Sequence, residues 1–172
     1  MKRINMLGAC IIASVSLLAG CGSSGTLKDE MKKSAIANPW GETQSLTVAI
    51  ESSEVDFIPP KGDKVTAAGI SLPLKTYRYM QGIIEALYSK GDAELRIRKS
   101  SEMEGQELSG DYNAYPEEWN ENIGGIEVHL RGDKGKAFEA TYKEKNGNYA
   151  ILFRNGEKGE GMSVDELESL RK

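Results

Sequence analysis

One short segment of the sequence concentrates side chains that could bind a ligand. Residues 107–119 read ELSGDYNAYPEEW, and the side chains of interest are Asp111, Tyr112, Asn113, Tyr115 and Trp119. Tyr and Trp combine apolar area with a polar tip, so they are enriched where proteins recognise ligands and partners. Asp and Asn can instead bond the neighbouring backbone and close local turns. We interpret the segment as a structured loop first, a binding surface second and a metal site last.

The spacing of Asp111 and Asn113 resembles the start of a calcium-binding loop, D-x-[DN]-x-[DN]-G. The later positions of that pattern fail, because Tyr115, Pro116 and Asn122 stand where an acid or amide, a Gly and a Glu are required. A looser oxygen site stays open, with the ligands Asp111, Asn113, Glu117 and Glu118. Zinc is less favoured, since the chain has one His and both Cys lie near the N-terminus. We predict no metal and no cofactor.

Catalytic chemistry has few candidate residues. Period-two alternation places His129 on the polar face of a strand, between Glu127 and Arg131. Nucleophilic catalysis would need a Ser and a carboxylate beside this His, and no G-x-S-x-G motif occurs. Three acids of the 107–121 loop could form a general acid/base pair: Glu117, Glu118 and Glu121. We predict a non-catalytic protein, with a cell-envelope hydrolase that uses acidic residues of this loop as the alternative.

The N-terminus, MKRINMLGACIIASVSLLAGC, has the features of an export signal. Lys2 and Arg3 precede an apolar stretch that ends in Leu18-Ala19-Gly20-Cys21. Small residues directly before a Cys resemble the lipobox of bacterial lipoproteins, in which that Cys is acylated and becomes the new N-terminus. We therefore predict a signal peptide over residues 1–20 and lipidation of Cys21. An ordinary secretory signal or a membrane-spanning helix are the alternatives, although the stretch is short for a span.

Composition supports this location and excludes one class of partner. The chain has 172 residues, 28% of them charged, and a formal net charge of −4. No dense basic run occurs, so nucleic acid is an unsuitable partner. After Cys21 the Gly-, Ser- and Lys-rich residues 21–37 are typical of a flexible tether. We expect a single domain over residues 38–172, held on the outer face of the cell membrane by the lipid.

The periodicity of this domain predicts an α+β fold. Ser45 is a plausible N-cap for a short helix over residues 45–53. From Lys75 onward, alternating runs and turn signals predict about six antiparallel strands in consecutive hairpins, with a long excursion between the third and fourth. Ser163 and Glu166 form a capping-box pattern for a C-terminal helix. A helix this short is marginal alone, so we expect it to pack on the sheet.

Several stretches together resemble the domain of unknown function 4367 family. They are NPW, SLTVAIESSEVDFIPP, IIEALYSKGDAELRIRKS, LSGDYNAY, GIEVHLRGDKGKAFEATY and GMSVDELESL, which span most of residues 38–172. The resemblance implies an exported lipoprotein of Gram-positive bacteria, or a relative of the outer domains of membrane-anchored anti-sigma factors. The chain departs from the family pattern at Tyr142, where a Trp is common. No functional residue is carried over from the family.

Taken together, these features predict an extracytoplasmic lipoprotein that acts as a binding or sensing module. Its membrane contact would be the lipid on Cys21. Its partner would be an envelope protein, a cell-wall polymer or a small ligand. A purely structural lipoprotein without any ligand is a further alternative.

Overall fold

The computed structural model describes residues 38–156 and 159–171, which form one antiparallel sheet with three short helices. The predicted α+β class is confirmed. The strands are β1 (Gly41–Thr43), β2 (Lys64–Ala67), β3 (Ile70–Met80), β4 (Ile83–Lys90), β5 (Ala93–Ser100), β6 (Glu117–Ile123), β7 (Ile126–Asp133), β8 (Lys136–Glu144) and β9 (Gly147–Asn155).

The helices are α1 (Leu46–Ser53), α2 (Gly105–Ser109) and α3 (Val164–Leu170). The helix predicted over 45–53 is confirmed, and the side chain of Ser45 caps it by accepting a hydrogen bond from the Val48 backbone N–H. The predicted capping box of α3 is also present, since Ser163 and Glu166 bond each other's backbone N–H. Helix α2 was not predicted. In the part of the chain that the structure describes, no helix has the length and apolar character that a membrane crossing requires.

The predicted strand count and strand order are wrong in detail. The described residues contain nine strands rather than about six, in the order β1-β3-β4-β5-β9-β8-β7-β6, and β2 pairs with the first half of β3. The long excursion after β5 does separate two series of hairpins. The second series folds back, so that its last strand, β9, pairs with β5. Sequence periodicity defines each strand but not which distant strands pair, because that choice depends on packing of the whole sheet.

The missed strands are short or lack an alternating apolar pattern. β1 and β2 contain three and four residues. β6 has the sequence EEWNENI, in which only Ile123 is buried. It lies at the edge of the sheet, where charged side chains are common because they discourage pairing with other chains. The C-terminal part of the segment taken for a loop is therefore a strand.

One face of the sheet carries the main hydrophobic core. Alternation on β5 places Leu95 and Ile97 on this face, in register with Phe153 and Ile151 of β9. Helices α1 and α3 pack here through buried side chains such as Ala49 and Leu167. The C-terminal helix therefore packs on the sheet, as the sequence predicted.

The opposite face of the sheet carries α2. A small second core forms where Leu108 of α2 meets Ile83 of β4 and Ala150 of β9. The rest of this face bears charged side chains, several of them fully buried, including Glu85 and Glu139. Buried charges need partners, and these partners position the candidate site.

Candidate functional site

Three of the five candidate loop residues meet one another, and two do not. Asp111 is buried, and Asn113 and Tyr115 both contact its carboxylate. Tyr112 is 73% exposed. Trp119 lies on β6 opposite Leu130 and packs against the main core, on the other face of the sheet. The five side chains therefore do not form one surface.

The contacts of Asp111 hold the loop between α2 and β6 in shape. One carboxylate oxygen accepts hydrogen bonds from the backbone and side-chain nitrogens of Asn113, at 2.9 and 2.7 Å. The other accepts a 2.6 Å bond from the Tyr115 hydroxyl. Gly110, with a positive φ of 64°, ends α2 just before this turn. The Asx-turn interpretation of Asp111 is confirmed, and its oxygens are committed to the protein itself.

These hydrogen bonds predict a pH-dependent contribution of Asp111 to stability. Burial alone would raise the pKa of this carboxyl, but the bonds from Tyr115 and Asn113 and nearby positive charges lower it overall. A carboxyl with a lowered pKa in the folded chain adds stability above its unfolded pKa, and that stability is lost as the pH falls through the folded pKa. We expect Asp111→Asn to cost about 1–3 kcal/mol at neutral pH and less near pH 3. Urea denaturation at both pH values measures this, and an equal cost at both would contradict it.

Arg131 of β7 fastens the loop to the sheet. Its guanidinium donates to the backbone carbonyls of Asp111 and Asn113, at 3.0 and 2.5 Å. It also pairs with the buried Glu139 at 2.5 Å and with Glu118 at 3.1 Å, and lies 5.0 Å from the centre of the Tyr115 ring. One buried arginine thus connects β6, β8 and the loop.

A second arginine fastens α2. Arg98 of β5 donates to the carbonyls of Leu108 and Ser109, at 3.0 and 2.7 Å, near the C-terminal end of the helix. Its charge is balanced by Glu85, which is 0% exposed and also pairs with Arg78 at 3.0 Å. The rings of Trp40 lie about 5 Å from both guanidiniums. The position of α2 therefore depends on a buried ion triad in the sheet.

With α2 and the loop held in this way, two adjoining cavities open beside the helix. Their volumes are about 140 and 360 Å³, and both are lined by Gly105, His129 and Thr141, so they form one groove. We call it the α2 groove. At one end its further lining residues are Gln106, Glu118, Arg131 and Glu139, and at the other end they are Glu104, Tyr142, Lys143 and Asn148. Glu139 and Lys143 are four residues apart on β8, which gives the groove a length of roughly 13 Å.

The α2 groove contains two buried side-chain oxygens without a hydrogen-bond partner. They are Oε1 of Glu139, a residue 1% exposed, and Oδ1 of Asn148, a residue 4% exposed. Such atoms are uncommon, because a buried acceptor without a donor costs about 1–3 kcal/mol. The Ser109 hydroxyl donates to the Gln106 carbonyl and also lies within hydrogen-bonding reach of the Glu139 carboxylate. Both unpartnered oxygens lie buried in the wall of the groove, and the described residues leave part of their accepting capacity unused.

The electrostatics of the groove differ between its two ends. Burial raises the pKa of Glu139, while the contacts with Ser109 and Arg131 oppose that rise. At the far end, Lys143 and Glu104 form an exposed pair at 3.7 Å. Between the ends, the Nδ1 atom of His129 lies 3.0 Å from Oδ1 of Asn120. This His lies on an exposed strand position, as the sequence predicted, but it also lines the groove.

A further cavity, of about 190 Å³, lies on the core face of the sheet. We call it the tyrosine cleft. Its wall includes the rings of Tyr142 and Tyr149, stacked at 5.0 Å, and the segment 57–60, in which Ile58 is 84% exposed. Arg171 lies 4.8 Å from the centre of the Tyr142 ring and pairs with Glu144 at 3.3 Å. Because Arg171 already covers that ring, the stack is an internal part of the fold.

The three acids that the hydrolase alternative requires have different surroundings. Glu117 accepts a hydrogen bond from the Gly135 backbone N–H, and Glu118 pairs with Arg131. Glu121 follows on β6 and is exposed. Among residues 38–156 and 159–171, no three His, Cys, Asp or Glu side chains come close enough together to hold a metal ion. Cys21, the predicted lipidation site, lies outside the described residues.

Sequence reasoning did not single out the groove residues Glu139, Thr141 and Asn148. Glu139 lies within the sequence AFEATY, which has the pattern of an ordinary strand. One signal was present, since Glu139 alternates with small or apolar residues in a strand that pairs on both sides. A charge at the centre of a sheet needs a partner, and Arg131 was already assigned to the polar face of the neighbouring strand.

Comparison with known proteins identifies no relative of this chain. No protein-family model, no curated protein and no solved structure matches the chain. The resemblance to the domain of unknown function 4367 family therefore stays a prediction. What the chain can bind must be argued from its own residues.

Proposed function

We propose that this protein is a non-catalytic, membrane-anchored extracytoplasmic module that binds a hydrophilic ligand in the α2 groove. The observation that supports this proposal is the pair of buried, unpartnered oxygens on Glu139 and Asn148, at opposite ends of one groove. A ligand that donates hydrogen bonds at both ends would remove the cost of leaving them unpaired. It would be elongated, with donors separated by roughly 13 Å along β8.

The contacts of the groove suit binding better than proton transfer. Glu139 is held by Arg131 at 2.5 Å, a charge-assisted bond that favours an acceptor with a fixed position. Thr141 forms the floor between the two oxygens and is 8% exposed. A hydrolase would instead place two carboxyl groups on either side of a substrate bond, and Glu118 and Glu139 are both engaged by the same guanidinium.

A thermal-shift screen with a matched pair of variants tests the proposed site. The full chain in detergent is screened against cell-wall fragments, short peptides, sugars and small metabolites. Ligand at a hundred times its dissociation constant adds about 2.7 kcal/mol of stability. We expect Thr141→Val to reduce the shift, because it deletes a hydroxyl from the groove lining without changing the volume.

Thr76→Val is the control for that screen. Thr76 is a buried Thr on β3, 6% exposed, whose hydroxyl donates to the Thr43 carbonyl far from the groove. This variant lowers the melting temperature but keeps the ligand-induced shift. A shift that Thr141→Val leaves intact would place the ligand elsewhere, and the absence of any shift would favour a protein partner or a structural role.

The membrane anchor is a separate prediction. We expect Cys21→Ala to abolish incorporation of a fatty-acid analogue and to release the protein from membranes, because acylation of this thiol is the proposed attachment. Cys10→Ala is the control, since the proposed signal peptide would carry Cys10 away. Labelling that persists in Cys21→Ala would contradict the anchor without affecting the groove.

A further inference from the structure

We propose that the Glu139 end of the α2 groove binds a primary ammonium group of the ligand. This inference rests on the proposed binding function of the groove and adds the chemical class of the group that it recognises. It follows from the acceptors at this end, the local balance of charge and the small size of the space.

The Glu139 end of the groove is lined by several hydrogen-bond acceptors. Glu139 gives one oxygen to Arg131 and keeps Oε1 without a partner. Thr141 beside it adds a hydroxyl oxygen. Nδ1 of His129 lies 3.0 Å from the side-chain oxygen of Asn120. The side-chain nitrogen of Asn120 donates to Glu127, which fixes the orientation of that amide. Nδ1 is then the donor of this bond, and in that tautomer of the ring Nε2 is the acceptor.

Acidic side chains outnumber basic ones around Arg131. Two carboxylates, Glu118 and Glu139, share one guanidinium, that of Arg131. The N–H groups of Arg131 are directed at these acids and at the Asp111 and Asn113 carbonyls. This end of the groove therefore carries one negative charge in excess, which a cationic donor would balance. A neutral hydroxyl would satisfy Oε1 but not the charge.

The space at the Glu139 end is small and is reached by only one oxygen of Glu139. The cavity at this end is about 140 Å³. An ammonium is compact and offers three donors, whereas a guanidinium is a wide planar fork that pairs best with a carboxylate accessible from the side. Here Glu139 presents a single oxygen, because Arg131 occupies the other. The three donors of an ammonium equal in number the acceptors that Glu139, Thr141 and His129 contribute to the lining of this end.

The test compares ligands that differ only in the ammonium group. Calorimetric titration of the full chain in detergent uses glucosamine against glucose, 1,4-diaminobutane against 1,4-butanediol, and a lysine tripeptide against its Nε-acetylated form. The three pairs distinguish an amino sugar, a diamine and a peptide as sources of the same group. We expect the amine of at least one pair to bind about tenfold or more tightly than its partner, as for a charge-assisted hydrogen bond.

Two matched variants on β6 complete the test. Glu118→Gln removes one of the two carboxylates around Arg131 and should weaken amine binding several-fold. Glu121→Gln, the same exchange on the same exposed edge strand, should leave it unchanged. Thr141→Val should weaken binding of both members of a pair.

The possible results separate this inference from the proposed function. Equal affinity for amine and hydroxyl ligands, lowered by Thr141→Val, would overturn the ammonium inference and leave the groove as a binding site. Binding of another ligand in the earlier screen, with no amine bound here, would do the same. Amine binding that neither Glu118→Gln nor Thr141→Val changes would place the amine outside the groove and overturn the inference.

Discussion

Replacing Arg131 by Met is expected to destabilise the domain by about 3–5 kcal/mol, because it leaves a buried carboxylate without its partner. Glu139 is 1% exposed, and its short bond to Arg131 is what compensates for its removal from water. The same substitution releases the carbonyls of Asp111 and Asn113, so the loop loses its attachment to the sheet. Urea denaturation of both proteins at neutral pH gives the difference in the free energy of unfolding.

A control and a double variant show whether the lost charge pair is the cause. Arg96→Met removes an ion pair with Glu94 on the accessible part of β5 and should cost less than about 1 kcal/mol. Arg131→Met combined with Glu139→Leu removes both buried charges and should recover much of the loss. A double variant as unstable as Arg131→Met would show that the loop contacts, rather than the unpaired carboxylate, dominate.

The second large effect is expected at Glu85, the centre of the ion triad under α2. Glu85→Ala should also cost about 3–5 kcal/mol, since it leaves two guanidiniums facing each other across a side chain that is 0% exposed. Arg98 holds the C-terminal carbonyls of α2. Without Glu85 we expect α2 to open more readily, so hydrogen exchange should rise over residues 104–110.

Glu94→Ala is the control for this second prediction. Glu94 is the partly exposed acid four residues before Arg98 on the same strand, and it pairs only with Arg96 among the ion pairs of the described residues. It should change stability by less than about 1 kcal/mol and leave exchange at α2 unaltered. If Glu85→Ala loosened the whole sheet equally, the particular link between the triad and α2 would be wrong.

The predictable parts of the fold are those encoded by local patterns. Ser45 before an apolar run and the Ser163–Glu166 capping box defined two helices, because caps act within one turn. Alternation gave the faces of β5 and β7 correctly. β6 was missed because its edge position replaces apolar alternation with acids, and β9 beside β5 could not be deduced because that pairing joins segments far apart in sequence.

The candidate site was predictable only where its contacts are local in sequence. Asp111 was identified by a local Asx pattern, and its partners lie two and four residues away. The groove is instead built from β6, β7, β8, β9 and the start of α2, which the fold alone brings together. Trp119 was predicted to belong to the loop surface. It lies on β6 instead, and the alternation of side chains along that strand places it on the other face of the sheet.

The proposed binding site is the α2 groove, and the tyrosine cleft is the alternative site for a ligand. Hydrogen–deuterium exchange of the full chain, with and without cell-envelope fragments, distinguishes the two sites most directly. Binding in the α2 groove predicts added protection over residues 102–107, which include the groove wall at the start of α2, and over 127–131. Protection concentrated instead on Phe57, Ile58, Leu170 and Arg171, which border the tyrosine cleft, would contradict it.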